Sequence, residues 1–149
     1  MEKELFKEKM NMISRKLAIA LLLIWWGAFT FYAGIVVSVG MKVLESHTEM
    51  GFITQEVTNY LNYISLPIFL FISYIFKAEK WLFRLGILLI MLQIIIFILH
   101  GKLFNLLDFE LLTVKSKTAF YSLHRIYLLV STLIWLIVSG IIVVEVQKN

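Results

Sequence analysis

The chain of 149 residues contains no cysteine and one proline, and only 16% of its residues are charged. Without cysteine it can form neither disulfide bonds nor thiolate metal sites. No proline- and serine-rich linker, low-complexity block or internal repeat divides it, which predicts a single domain, residues 1–149. In contrast, 60% of the residues are hydrophobic and the mean hydropathy is +0.87. So short a soluble chain cannot bury that much apolar surface, and we therefore expect an integral membrane protein.

Four apolar runs are each long enough to cross a bilayer as a helix, which takes about 20 residues. They cover residues 17–40, 57–76, 81–100 and 120–144. Open strands are excluded because lipid offers no partner to unpaired backbone groups, and the alternation of a membrane-barrel strand is absent. The sequence therefore predicts an all-α protein, built as a four-helix transmembrane bundle.

The segments outside these runs have expected roles of their own. Residues 1–15 mix apolar and charged side chains, which is typical of a short amphipathic helix on the membrane surface. Residues 41–55 read as a polar loop, and residues 101–118 as a partly helical interfacial segment or, equally, a loop packed on the helices. No small-residue cleavage pattern closes the first apolar run, so we expect it to be retained rather than removed as a signal peptide.

The distribution of basic residues predicts the orientation. Nine Lys and Arg residues fall in the two termini and the 77–84 turn, and five fall on the opposite side. By the positive-inside rule both termini are expected in the cytoplasm, with the chain in the cytoplasmic membrane. The net charge of +4 then reflects topology. No basic stripe on a soluble platform predicts a nucleic-acid partner.

A polar stripe opens the second predicted span. Its members follow the helical repeat and share one face: Gln55, Thr58, Asn59, Asn62 and Ser65. Facing lipid, these side chains would be costly, so the stripe must turn toward other helices or a wet cavity. Hydrogen-bond contact between helices and the wall of a pocket are equally good interpretations.

The first predicted span carries a second pattern. Thr30, Gly34 and Ser38 recur every fourth residue, which favours close approach of another helix. Trp25 and Trp26 lie too deep for ordinary interfacial residues, so we expect at least one of the rings to pack between helices, or alternatively against a ligand.

Three further polar residues lie at the ends of apolar runs: His100, His124 and Arg125. The rise of an α-helix places them within about 6 Å of the depth of the stripe's first members. His100 and His124 could ligate a transition metal with His47 or a loop carboxylate as third ligand, or hold a haem iron. Arg125 with the stripe amides could instead bind an anionic headgroup or a quinone carbonyl. The simpler alternatives are an interfacial His100 and an interfacial anchor at Arg125.

The resulting hypothesis is an extracytoplasmic polar pocket that binds a small ligand, a lipid headgroup, a quinone or a metal ion. Its candidate ligand-binding residues are Gln55, Thr58, Asn59, Asn62, His124 and Arg125, and its candidate metal ligands are His47, His100 and His124. One alternative is an accessory subunit bound to another membrane protein or to a second copy, and another is a haem-binding electron-transfer protein. Ser122 and His124 face different sides of a helix, so a binding role is favoured over an enzyme.

Three stretches carry a resemblance to known proteins. They are WWGAFTFYAGIVVSVG at 25–40, SHTEMGFITQEVTNYLN at 46–62 and FYSLHRIYL at 120–128. Together they resemble a group of small bacterial four-span membrane proteins, which is in turn distantly similar to the copper-resistance D type. The resemblance implies no activity for individual residues, but it supports treating the stripe and His124–Arg125 as one unit.

Overall fold

A computed structural model of the chain describes residues 2–148, without the side chains of residues 2, 3, 7 and 8. Met1, and the side chains of Lys3 and Lys7 that entered the charge count, therefore lie outside the described part. The prediction of an all-α protein is confirmed. In chain order the elements are α1 (Glu2–Phe31), a π-helical turn (Tyr32–Val36), α2 (Val37–Leu44), α3 (His47–Ile75), α4 (Lys80–Asn105), β1 (Leu107–Asp108), β2 (Thr113–Val114) and α5 (Lys117–Gln147).

The segments outside the apolar runs are more regular than expected. α1 is continuous from Glu2, so no separate amphipathic helix precedes the first apolar run. Most of the expected 41–55 loop is helical, because Glu45 adopts a left-handed conformation and Ser46 caps α3 by accepting from the Glu49 amide at 3.2 Å. In 101–118, α4 continues to Asn105 and a short hairpin follows, in which Leu107 pairs with Val114.

The four long helices surround a common core. α1 contacts α3 and α5, and α4 contacts the same two helices, so the order around the core is α1, α3, α4, α5. In a layer nearer the α3–α4 turn than the hairpin, each helix contributes a fully buried apolar side chain. This layer, called the apolar layer below, consists of Leu22, Phe69, Leu89 and Val138. One end of the helices holds the β-hairpin and is called the hairpin end, and the opposite end is called the network end.

Within residues 2–148, three helical stretches are long and apolar enough to cross a membrane: Glu4–Leu44, Lys80–Asn105 and Lys117–Val146. Such stretches are the mark of a membrane protein. The polar stripe lowers the hydropathy of α3, which is not among them. Gln55, Asn62 and Ser65 of this stripe are buried, so the expectation that the stripe faces other helices is confirmed for these residues.

Two tryptophans interlock α1 and α5. Trp26 donates from Nε1 to Ser139 Oγ at 2.8 Å, and Trp135 donates from Nε1 to Thr30 Oγ1 at 2.8 Å. Each of these hydroxyls donates to the carbonyl of the tryptophan one turn earlier on its own helix, at 2.7 Å. The indole rings stack at 5.7 Å. The four hydrogen bonds close a ring between the helices, as expected for tryptophans that pack internally.

The predicted small-residue face of the first span is only partly used. Thr30 packs against α5 as described, but Gly34 and Ser38 are exposed, and a Cβ added at Gly34 would meet nothing within 4 Å. The expectation of close helix approach is therefore wrong for these two residues within this chain. The reason is the π-helical turn at Tyr32–Val36, which inserts an extra residue and rotates the following residues relative to Thr30.

An ion-pair network closes the network end. Arg15 pairs with Glu79 at 2.5 Å and with Glu145 at 2.6 Å, and Lys148 pairs with the same two carboxylates at 2.8 and 2.7 Å. Because Arg15 lies on α1, Glu79 precedes α4 and Glu145 lies on α5, the network joins three helices. Glu145 is only 1% exposed, and its ion pairs with Arg15 and Lys148 offset the cost of burying a carboxylate. The Arg15 guanidinium also lies 5.1 Å from the centre of the Phe76 ring.

The network predicts a loss of stability in acid. Partial burial acts to raise the pKa of Glu79, but its ion pairs with Lys148 and Arg15 outweigh burial and hold that pKa below the ordinary value. As the pH falls, the Glu79 carboxylate is therefore protonated at a higher pH in the unfolded chain than in the folded protein. The free energy of unfolding decreases once the pH drops below about 4.3. Thermal unfolding in detergent across a pH series should show this fall, and Glu79→Gln should flatten it. Glu110→Gln, on the exposed hairpin, is the control, and an unchanged profile in Glu79→Gln would contradict the prediction.

A second prediction concerns the contact between α3 and α4. Gly86 is buried, and a Cβ added there would lie 3.0 Å from the Ser73 backbone Cα. We expect Gly86→Ala to lower the free energy of unfolding by about 1–3 kcal/mol through overpacking. Gly101→Ala on the same helix meets nothing within 4 Å and should be neutral or slightly stabilising, by up to about 1 kcal/mol. Equal effects of the two substitutions in a denaturation assay would disprove the close contact.

Candidate functional site

A cavity of about 410 Å³ lies at the hairpin end. Its walls come from three stretches of helix, residues 29–41, 47–58 and 117–131, and Leu107 and Val114 of the hairpin lie against it. The volume is within the range of about 300–1,000 Å³ typical of small-molecule sites. The cavity exists because the π-helical turn redirects the chain beyond the Trp26–Trp135 interlock, while α2 packs on α3.

One face of α5 forms a continuous wall. The lining residues recur at the helical repeat: Lys117, Phe120, Tyr121, His124, Tyr127, Leu128 and Ser131. The His124 ring stacks on Phe120 with centroids 5.8 Å apart and planes 7° from parallel. This stacking holds the imidazole, which is half-buried, in the wall.

The start of α3 forms the opposite wall. Thr54 and Thr58 line the cavity, and their hydroxyls donate to the carbonyls of Gly51 and Thr54 at 2.8 and 2.7 Å. These bonds use the hydroxyl protons and leave oxygen lone pairs for a ligand. Tyr32, the first residue of the π-helical turn that follows α1, donates from its hydroxyl to the Thr54 carbonyl at 3.4 Å.

Between this cavity and the apolar layer the polar side chains pair with one another. Asn62 donates to Tyr127 Oη at 3.3 Å, and Gln93 donates to Asn62 Oδ1 at 3.3 Å. Trp25 donates from Nε1 to Ser65 Oγ at 2.7 Å. These bonds connect α1, α3, α4 and α5, and they satisfy polar groups that lipid could not. The deeper residues of the stripe, Asn62 and Ser65, therefore form hydrogen bonds between helices. This is one of the two interpretations of the stripe that the sequence allowed.

His100 belongs to this interior set rather than to the cavity wall. Its Nε2 lies 3.2 Å from Gln55 Nε2, and the same amide donates to the His100 carbonyl at 3.2 Å. Among the buried side-chain atoms that the structure describes, His100 Nδ1 alone has no hydrogen-bond partner. Only 7% of the residue is exposed, so His100 is more deeply buried than an interfacial residue would be.

The six candidate ligand-binding residues occupy different environments. Gln55, Thr58 and His124 line the cavity. Asn62 lies deeper, and Asn59 is half-buried without lining the cavity. Arg125 is exposed on the outside of α5, because successive residues of a helix are turned by about 100° and His124 faces inward. The structure therefore does not bring Arg125 to the amides of the stripe.

The candidate metal ligands are also divided. His47 and His124 line the cavity, but His100 lies behind its wall. In the part of the chain with described side chains, no three His, Asp or Glu residues are grouped so that they could hold a metal ion. Gln55 lies against His100 Nε2, so a metal ion that left this contact in place could bind His100 through Nδ1 alone.

Sequence reasoning missed several residues of the cavity. Lys117 and Tyr127 lie seven residues before and three residues after His124, so the helical repeat already places all three on one face of α5. Tyr32 had no such signal, since the π-helical turn sets its position.

Comparison with protein-family models, with characterised proteins and with solved structures found no match. The resemblance to the copper-resistance D type therefore stays a prediction.

The interior hydrogen bonds predict a contrast between two asparagines. Asn62→Leu removes partners of Gln93 and Tyr127, and we expect it to lower the free energy of unfolding by about 1–3 kcal/mol because buried polar groups lose their partners. Asn59→Leu, three residues earlier on the same helix, should change it by less than about 0.5 kcal/mol. Reversible unfolding in mixed micelles measures both. A larger effect at Asn59 would contradict the assignment of Asn62 to the interior.

Proposed function

We propose that this protein spans the bacterial cytoplasmic membrane four times, with both termini in the cytoplasm, and binds a small lipid-soluble ligand in the cavity at its hairpin end. One observation carries the proposal: a cavity of about 410 Å³ lies among apolar helices and has polar side chains in its walls. A largely apolar pocket with a few placed polar groups is the usual form of a small-molecule site.

The four-span part of the proposal rests on α3. This helix has 29 residues, enough to cross the hydrocarbon core, and lies between α1 and α4. Two of its amides, Gln55 and Asn62, are buried, and large apolar or aromatic side chains cover its exposed side: Tyr60, Tyr63, Ile64, Leu70 and Tyr74. A helix with this distribution suits a membrane once its neighbours cover the polar face.

The orientation follows from the charges at the two ends. The network end carries Arg15, Lys77, Lys80 and Arg84, in addition to both ends of the chain. By the positive-inside rule this end faces the cytoplasm. The cavity then lies on the extracytoplasmic side, at the depth of the outer leaflet.

The walls of the cavity favour an amphipathic ligand over a bare metal ion. Phe29, Val37, Leu103 and Leu128 supply apolar surface, and Thr58 is one of several hydroxyls that supply hydrogen-bonding groups. A ligand dissolved in the outer leaflet could place its tail and its polar head against these two kinds of surface. Binding, rather than catalysis, is the function that we propose.

To test the proposal, a larger side chain is introduced to fill the cavity. Ala33 lines it, and Ala33→Trp should abolish labelling by photoreactive hexadecanol and hexadecanoic acid in phosphatidylcholine nanodiscs. Ile35→Trp, in the same π-helical turn but exposed and outside the lining, should label like the unaltered protein. Mass spectrometry of the labelled peptides should place the adducts on residues 29–41 and 117–131.

Three results would count against the proposal. Labelling that Ala33→Trp leaves intact would show that the probes bind elsewhere. Purification with a stoichiometric membrane-protein partner and no labelling would favour the accessory-subunit alternative. A Soret band in the purified protein would favour the haem alternative.

A further inference from the structure

We propose that the cavity selects an anionic amphiphile, a molecule with an alkyl tail and a carboxylate or phosphate head, and holds the head at Lys117 and His124. The inference rests on the proposed function, because it assigns the chemistry of the ligand in the same cavity. The observations that carry it are the charge of the lining, the position of Lys117 and the extent of the apolar wall.

The lining has one sign of charge. Its basic side chains are His47, Lys117 and His124, and it contains no Asp or Glu. Acidic residues are nevertheless frequent at the hairpin end, where none of the following lines the cavity: Glu45, Glu49, Glu56, Asp108 and Glu110. The lining therefore offers an anion Lys117 as a partner of opposite charge, whereas a cationic head would find no such partner there.

The head-binding groups lie along one face of α5. Lys117 is the first residue of the helix and is exposed at the mouth of the cavity, and His124 lies two turns deeper. Ser116 makes no side-chain cap and the first turn has no acidic residue. The positive end of the helix dipole therefore adds to the charge of Lys117. A neutral imidazole still donates one hydrogen bond, so His124 can bind an anionic oxygen without being charged.

The apolar wall is long enough for an alkyl tail. Along the first helical stretch the lining runs from Phe29 to Met41, which corresponds to about 18 Å at the rise of an α-helix. Met41 and Met50 add flexible side chains that adapt to different tails. A tail along this wall places the head near the mouth, where Lys117 lies.

The test varies the charge of the head while the tail stays constant. Photoreactive hexadecanoic acid, hexadecyl phosphate, hexadecanol and hexadecylamine are titrated against the full chain in phosphatidylcholine nanodiscs at mildly alkaline pH. We expect at least one of the two anions to bind about tenfold more tightly than the alcohol, since a charge-assisted hydrogen bond is stronger than a neutral one. The more tightly bound anion identifies the head group.

Substitutions at the mouth complete the test. Lys117→Gln should remove the preference for the anions, so that they bind no more tightly than hexadecanol, and Lys117→Glu should transfer the preference to hexadecylamine. The control is Lys102→Gln, which removes an exposed lysine at the same end that does not line the cavity. Equal binding of all four probes, or an anion preference that survives Lys117→Glu, would overturn the inference and leave the proposed function standing. If no probe labels the cavity, the proposed function fails as well.

Discussion

The polar residues of α3 impose the constraint on which the rest of the structure depends, because amides and hydroxyls in an apolar surrounding must find partners inside the protein. Asn62 meets Gln93 and Tyr127, and Ser65 meets Trp25. These contacts fix α3 between α1 and α4 and set its rotation about its own axis. With that rotation fixed, the first turns of α3 present hydroxyls to the cavity, while its aromatic residues lie on the outside.

The two halves of the molecule are built differently. Toward the network end the helices close on the apolar layer, and the Arg15 network joins three of them beyond it. Toward the hairpin end the π-helical turn redirects the first helix, and space remains between it and α5. The Trp26–Trp135 interlock marks the boundary. The closely packed network end thus supports the hairpin end, which contains the cavity. This arrangement would suit a site that must keep its shape while a ligand enters.

The sequence was enough to predict features that depend on a local repeat of residue types. It was not enough for features that depend on contacts between residues far apart in the chain. Hydropathy and the helical repeat were enough to predict the all-α fold and the inward face of the stripe at Gln55 and Asn62. The position of Arg125 was misjudged because shared depth says nothing about direction around a helix. The pairing of Arg15 with Glu145 joins residues 130 positions apart, and no pattern along the chain indicates such a partner.

The apolar layer has a consequence for how the cavity exchanges its contents. Leu22, Phe69, Leu89 and Val138 are fully buried, so closely packed side chains separate the cavity from the network end. A ligand bound in the cavity, as we propose, would then have no path between the helices to the network end. Under the proposed function and orientation, the occupancy of the cavity would equilibrate with the outer leaflet alone, which is the behaviour of a sensor or a reservoir and differs from that of a carrier.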